Sequence, residues 1–163
     1  MRATRREALI GGGAVLLASA GAAHAASAGD AGLLQGLLAR ERRLENAYDA
    51  ALRRDLLDAA VARRLRDQER AHIRGLEQAL SRMGQNPPRA AKAPRIPGRE
   101  RFASFALDLE AAAVVAYLQA LERLRDEALL LPLGSIAANQ GQHMVILRET
   151  LGLPLLEGSL AVS

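Results

Sequence analysis

Apolar side chains recur at helical spacing in four stretches of this chain. From about Ala31 to Arg53, Leu34, Leu37, Leu38, Leu44, Tyr48 and Leu52 fall on one side of a helix. A break at Asp55 to Asp58 follows, where Asp58 suits an N-cap, and a second helix runs to Met83 with Gly84 as its stop. Gln85-Asn86-Pro87-Pro88, Pro94 and Pro97-Gly98 then exclude helix. The pattern resumes from about Arg101 to Leu129, pauses at Pro132 and Gly134, and continues from about Ser135 to Leu151, closed by Gly152 and Pro154. The reading is all-α, one four-helix bundle.

The proline-rich segment fixes how the helices connect. In polyproline form, residues 85–98 reach about 43 Å at ~3.1 Å per residue. The second helix, from Leu57 to Met83, is about 40 Å long at ~1.5 Å per residue. The connector can therefore travel the length of the bundle and start helix three at the far end. Short links within each pair and one long crossover between helices two and three are expected, not an up-down-up-down bundle, which needs only a short link there.

Composition supports helices and narrows the chemistry. Ala, Leu and Arg dominate and Trp is absent among the 163 residues, which favours helix over sheet. The absence of cysteine excludes disulfides, thiolate zinc sites, a rubredoxin-type iron centre and a lipoprotein anchor. Any metal must be held by oxygen and nitrogen. The net charge of +4 comes from arginines interleaved with acids, as in Arg40-Glu41-Arg42-Arg43-Leu44-Glu45, and Lys92 is the only lysine. That is a solvated helix face, and with so few aromatics no nucleic-acid partner is expected.

The first twenty-five residues read as an address. Arg5-Arg6 precedes a modest apolar run from Ile10 to Ala22, and Ala23-His24-Ala25 offers a small-x-small cleavage site. The run is shorter than the roughly 20 residues that span a bilayer, so cleavage after Ala25 is expected, leaving no stable membrane anchor and a domain over 26–163. The segment resembles a twin-arginine signal, which implies export of a folded, commonly cofactor-loaded protein to the periplasm or beyond. A general secretory signal that carries Arg5 and Arg6 is the plainer alternative.

The strongest signal is an internal repeat. Helix one carries Glu41-x6-Tyr48 with Leu52 four residues on; helix three carries Glu110-x6-Tyr117 with Leu121 four residues on. Helix two carries Glu69-Arg70-Ala71-His72, and helix four Gln140-Gly141-Gln142-His143. Glu41 to Glu69 is 28 residues and Glu110 to Gln140 is 30, so the two helix pairs read as copies of one hairpin. Each polar residue stands in an apolar stripe, such as Leu65-Glu69-His72-Leu76 on helix two. Buried carboxylates cost several kcal/mol unless paired or metal-bound.

Here the sequence resembles the ferritin-like di-metal carboxylate superfamily: ferritins, rubrerythrin-like proteins and exported bacterial ferritin-like proteins. The resemblance spans most of the mature chain and implies a centre of two Fe or Mn ions. Glu41 and Glu110 match the single carboxylates, Glu69 with His72 matches one Glu-x-x-His, and His143 matches the second histidine, with Gln140 in the place of the fourth carboxylate. Glu69 then bridges, His72 and Glu41 complete one position, and Glu110, His143 and Gln140 serve the other. Zinc suits the same donors. Tyr48 and Tyr117 are candidate hydrogen-bond partners of the carboxylates, with plain core packing as the alternative.

Gln140 is the departure from the pattern. A neutral amide cannot bridge as a carboxylate does, and three carboxylates under-compensate two divalent ions. The second position should be weaker. Glu45 borders the core as a substitute for Glu41; Asp108 and Glu122 lie off the stripe; Met83 and Met144 read as packing. No phosphate loop or serine nucleophile appears. The expectation is an exported di-iron or manganese protein reacting with oxygen or peroxide, with a homodimer left open. The alternative is a degenerate bundle whose Glu–His pairs are buried hydrogen bonds, serving a binding or structural role in the envelope.

Overall fold

A computed structural model describes residues 28–88 and 93–154; residues 1–27, which include the expected signal over 1–25, and residues 89–92 and 155–163 lie outside them. Four helices form: α1 (Ala28–Arg54), α2 (Ala59–Arg82), α3 (Arg99–Arg123) and α4 (Leu130–Thr150). A 3-10 turn at Glu127–Leu129 leads into α4. α1 pairs with α2, α3 pairs with α4, and α1 packs on α3.

The helix ends follow local chemistry. Asp55 leaves α1 with a φ of 51°, a left-handed conformation that Asp tolerates better than most residues. The Asp58 carboxylate accepts from the backbone N–H of Ala60 at 2.9 Å and Val61 at 3.0 Å, satisfying two otherwise unpartnered donors of α2. Gly84, at φ 68°, follows α2.

The third and fourth helices meet differently from the sequence expectation. α3 stops at Arg123, and α4 already begins at Leu130, so Pro132 and Gly134 lie inside it. Pro132 sits in the first turn, where its missing N–H would have had no intrahelical partner, so it does not interrupt the helix. The true break is Leu124 to Asp126. There Asp126 accepts from the Ala128 N–H at 3.0 Å. Asp30, on the first turn of α1 and buried, accepts from the backbone N–H of Arg125 at 3.2 Å and of Asp126 at 2.9 Å.

The crossover runs beside α1. Arg42 donates to the Pro88 carbonyl at 2.5 Å, and Arg54 donates to the carbonyls of Ile96 at 3.4 Å and Pro97 at 3.3 Å. Arg99, the first residue of α3, donates to the Asp55 carbonyl at 2.8 Å. Pro88 thus lies against the middle of α1, and α3 begins at the end where α1 finishes. α3 is long and apolar enough by composition to cross a bilayer, with a mean hydropathy of 1.4 over its best window. In the bundle it carries buried Glu110 and packs against α1 and α4.

Two apolar clusters fill the interior. One gathers Leu34, Leu38, Leu76, Leu80 and Leu133; the other gathers Leu44, Ala51, Leu65, Phe102 and Leu147. Each leucine buried this way stabilises the fold by roughly 1.5–3 kcal/mol. On α1, α2 and α4 the two clusters are separated along the helix by polar residues, and there the interior changes character.

Candidate metal centre

Four helices each deliver polar side chains into the gap between the apolar clusters. α1 supplies Glu41, α2 supplies Glu69 and His72, α3 supplies Glu110, and α4 supplies Gln140 and His143. All are 0 % exposed except His72, at 3 %. The i, i+3 spacing places Glu69 and His72, and likewise Gln140 and His143, on one helix face. The structure therefore brings all six sequence-predicted residues to one place.

The donors converge in two groups that share one residue. Ligating atoms of Glu41, Glu69 and His72 lie within 4.8 Å of one another, and so do those of Glu69, Glu110 and His143. Glu69 belongs to both. The rings of His72 and His143 are near-parallel, 24° apart, with centroids 6.1 Å apart.

Hydrogen bonds around the carboxylates repeat across the bundle. Tyr117 on α3 donates to Glu41 Oε1 on α1 at 2.8 Å, and Tyr48 on α1 donates to Glu110 Oε1 on α3 at 2.5 Å. The two tyrosines thus hold the carboxylates of the opposite hairpin and are not merely core packing. His72 Nδ1 lies 3.1 Å from Glu41 Oε2 and 3.3 Å from Glu69 Oε2. Gln140 donates through Nε2 to both oxygens of Glu41 and to Glu69 Oε2, each at 3.1 Å.

One partner was not legible in the sequence. The Gln68 amide oxygen lies 3.0 Å from His143 Nε2. As the acceptor it receives the hydrogen bond that Nε2–H donates, which turns Nδ1 toward the centre. Gln68 stands one residue before Glu69, beside the inward stripe, and its only signal is a neutral side chain in the charged run from Arg63 to Arg70. Glu45, expected as a substitute for Glu41, instead accepts from Arg70 Nε at 2.8 Å on the outer side of α1 and α2. A charged arginine within reach holds it there. Asp108 and Glu122 are exposed, and Met83 packs at the edge of an apolar cluster.

Burial and mutual contact shift the ionisable groups strongly. Burial, reinforced by the charge of Glu69, pushes the Glu41 carboxyl up to about 8. Burial also works to raise Glu69, but its close contacts with Glu41, His143 and His72 outweigh that and leave the carboxyl at about 2. The two carboxyls are thus driven in opposite directions. Burial works against charge on the histidines, yet the neighbouring carboxylates win, raising His72 to about 10 and His143 to about 9. The Tyr48 and Tyr117 phenols are driven up by burial and by the surrounding carboxylates, so both remain hydrogen-bond donors at neutral pH.

The donor set fits a divalent cation. Glu69 Oε1, Glu110 Oε2 and His143 Nδ1 are buried with no hydrogen-bond partner, a costly arrangement for three Lewis-basic atoms in an interior. Oxygen and imidazole donors suit Fe, Mn or Zn. A four-helix bundle with a buried carboxylate–imidazole centre contributed by all four helices defines a class of helical metal-site proteins. The chain belongs to the ferritin-like domain family, whose pattern matches residues 29–153. No curated protein and no solved structure matches it significantly.

Proposed function

We propose that this is an exported ferritin-like protein that binds Fe or Mn at the buried centre formed by Glu41, Glu69, His72, Glu110, Gln140 and His143 and reacts with oxygen or peroxide. The observation that carries the reading is the pair of buried Glu/His groups joined through Glu69. A bound Fe or Mn supplies redox and Lewis-acid chemistry there. The protein's own residues do the rest. The apolar clusters on either side exclude water, Tyr48 and Tyr117 orient Glu110 and Glu41, and Gln68 fixes the His143 ring. Arg5-Arg6 and Ala23-His24-Ala25 support twin-arginine export with the bundle already folded, to the periplasm or the outside.

The direct test is elemental analysis of protein produced with its leader intact. Fe or Mn should copurify and fall away in Glu69→Ala. Metal no higher in the native protein than in that variant overturns the reading. A second reading, a non-enzymatic envelope protein, is favoured by one observation: Gln140 already satisfies Glu41 and half of Glu69 without any ion. It predicts a melting temperature unmoved by chelator, whereas a resident ion stabilises the fold by mass action.

A further inference from the structure

The two halves of the centre are not equivalent. The side formed by Glu41, His72 and Glu69 Oε2 has its hydrogen bonds made: Tyr117 donates to Glu41 Oε1, His72 shares its Nδ1 with Glu41 and Glu69, and Gln140 Nε2 faces three carboxylate oxygens. An amide NH2 carries partial positive charge on two hydrogens. Set 3.1 Å from each of those oxygens, it does electrostatically what a cation would do there.

The other side is bare. Within the centre, the buried atoms without a hydrogen-bond partner are Glu69 Oε1, Glu110 Oε2, His143 Nδ1 and Gln140 Oε1. The first three come from the residues of one group, Glu69–Glu110–His143. His143 Nδ1 approaches Glu69 Oε1 to 2.9 Å and Glu110 Oε1 to 3.3 Å. It is close to the first by distance but out of line for a hydrogen bond. Each donor's other end is pinned: Glu110 by Tyr48, His143 by Gln68, and Glu69 Oε2 by Gln140 and His72. Fixed rear contacts and unpartnered front atoms are what a single ion between these three residues needs. Charge agrees, since two carboxylates match one divalent ion.

Resting on the function proposed above, we infer that the resident ion occupies only the Glu69–Glu110–His143 position, and that the Gln140 amide fills the neighbouring Glu41–Glu69–His72 position in place of a second ion. The centre is mononuclear because of one side chain. Restoring a carboxylate there removes the plug and adds the missing negative charge, so Gln140→Glu becomes a two-ion centre. The sequence argument gave Glu41 and His72 the better-furnished position; the hydrogen bonds reverse that order.

The test uses Mn2+ as the probe. The full chain is stripped with chelator, reloaded and desalted, and read by elemental analysis and electron paramagnetic resonance. The native protein should retain about one Mn per chain with the six-line signal of an isolated ion, and Gln140→Glu about two with the broadened spectrum of a coupled pair. His143→Ala should lower Mn retention far more than His72→Ala does. His143→Asn repeats the first arm with a smaller change of volume, and circular dichroism confirms that each variant is helical. Two ions in the native chain, a single ion in Gln140→Glu, or a loss in His72→Ala as large as that in His143→Ala each overturns the inference while leaving the proposed function intact. No retained Mn in either the native chain or Gln140→Glu overturns both.

Discussion

The α1·α2 and α3·α4 hairpins present matching residues to the interior and opposite faces to the outside. Inward, each offers a Glu, a Tyr and a His at corresponding positions. Outward, α1 and α2 are laced together by Arg42–Glu77 at 2.8 Å and by Arg70 with Glu45 and Asp49 at 2.8 and 3.3 Å. The second hairpin has no Asp, Glu, Lys or Arg between Ala111 and Leu121 or between Ala128 and Leu147. There Val115, Leu118 and Leu131 stand exposed. The difference teaches where the constraint lies. Inward positions must satisfy one another across the bundle, so they keep to one pattern; outward positions answer to solvent and neighbours and need not. The exception is Glu69 against Gln140, the position among the polar residues of the centre where the two hairpins disagree.

That exception gives the largest expected effect. Glu69→Ala removes the residue common to both donor groups and leaves His72 and His143 buried with fewer counter-charges. It should abolish metal retention and destabilise the protein by about 3–5 kcal/mol, read by urea unfolding. Gln140→Ala, at the corresponding position of the second hairpin, should destabilise far less. Equal losses would erase the distinction.

The pH dependence of the metal-free protein comes next. Glu41, His72 and His143 all have folded values above their ordinary ones, so the folded chain binds more protons than the unfolded chain from mildly acid pH upward. Stability from the histidines is complete below their ordinary value of 6.5 and is lost as pH rises through about 9 and 10. Glu41 erodes stability on the way to about 8. Glu69 has the opposite sense, contributing above the ordinary 4.5 and failing as pH falls toward about 2. The melting temperature of chelated protein should therefore fall between pH 7 and 10, with each released proton worth ~1.4 kcal/mol per pH unit. Saturating Mn2+ should oppose that fall, because an ion takes the place of the protons.

The tyrosines sharpen the comparison further. Glu41 Oε1 accepts from Gln140 as well as from Tyr117, whereas the only hydrogen bond to Glu110 Oε1 among the described residues comes from Tyr48. Tyr48→Phe should thus cost about 2 kcal/mol and Tyr117→Phe about 1 kcal/mol, measured by the same unfolding curves. The smallest effect belongs to the outer face. Arg70 is 40 % exposed, so Arg70→Gln should change stability by less than about 1 kcal/mol.

Much of this was legible in the sequence, for physical reasons. Glu41, Glu69, Glu110 and the two histidines betrayed themselves because a charged residue in an apolar stripe demands a partner, and the matching spacing said the partners were one another. The crossover was legible because proline both forbids helix and sets the reach of the segment. The α3–α4 junction was misread because Pro132 looks like a breaker, and only its place in the first turn makes it harmless. Which way an amide points was not legible at all. Periodicity assigns residues to faces, but the orientation of Gln140 and the partnership of Gln68 with His143 depend on atoms brought together from distant helices.

The position shared by Glu69, Glu110 and His143 also has a meaning for the chain as a thread. Glu69 comes from the first hairpin, Glu110 and His143 from the second, and the segment between α2 and α3 is the covalent link between them. An ion held there ties the two halves at mid-length, closing a loop much as a disulfide does in a chain that has no cysteine. Loss of such an ion would be a mechanical event as well as a chemical one: it would free the hairpins to part along the seam that the centre occupies.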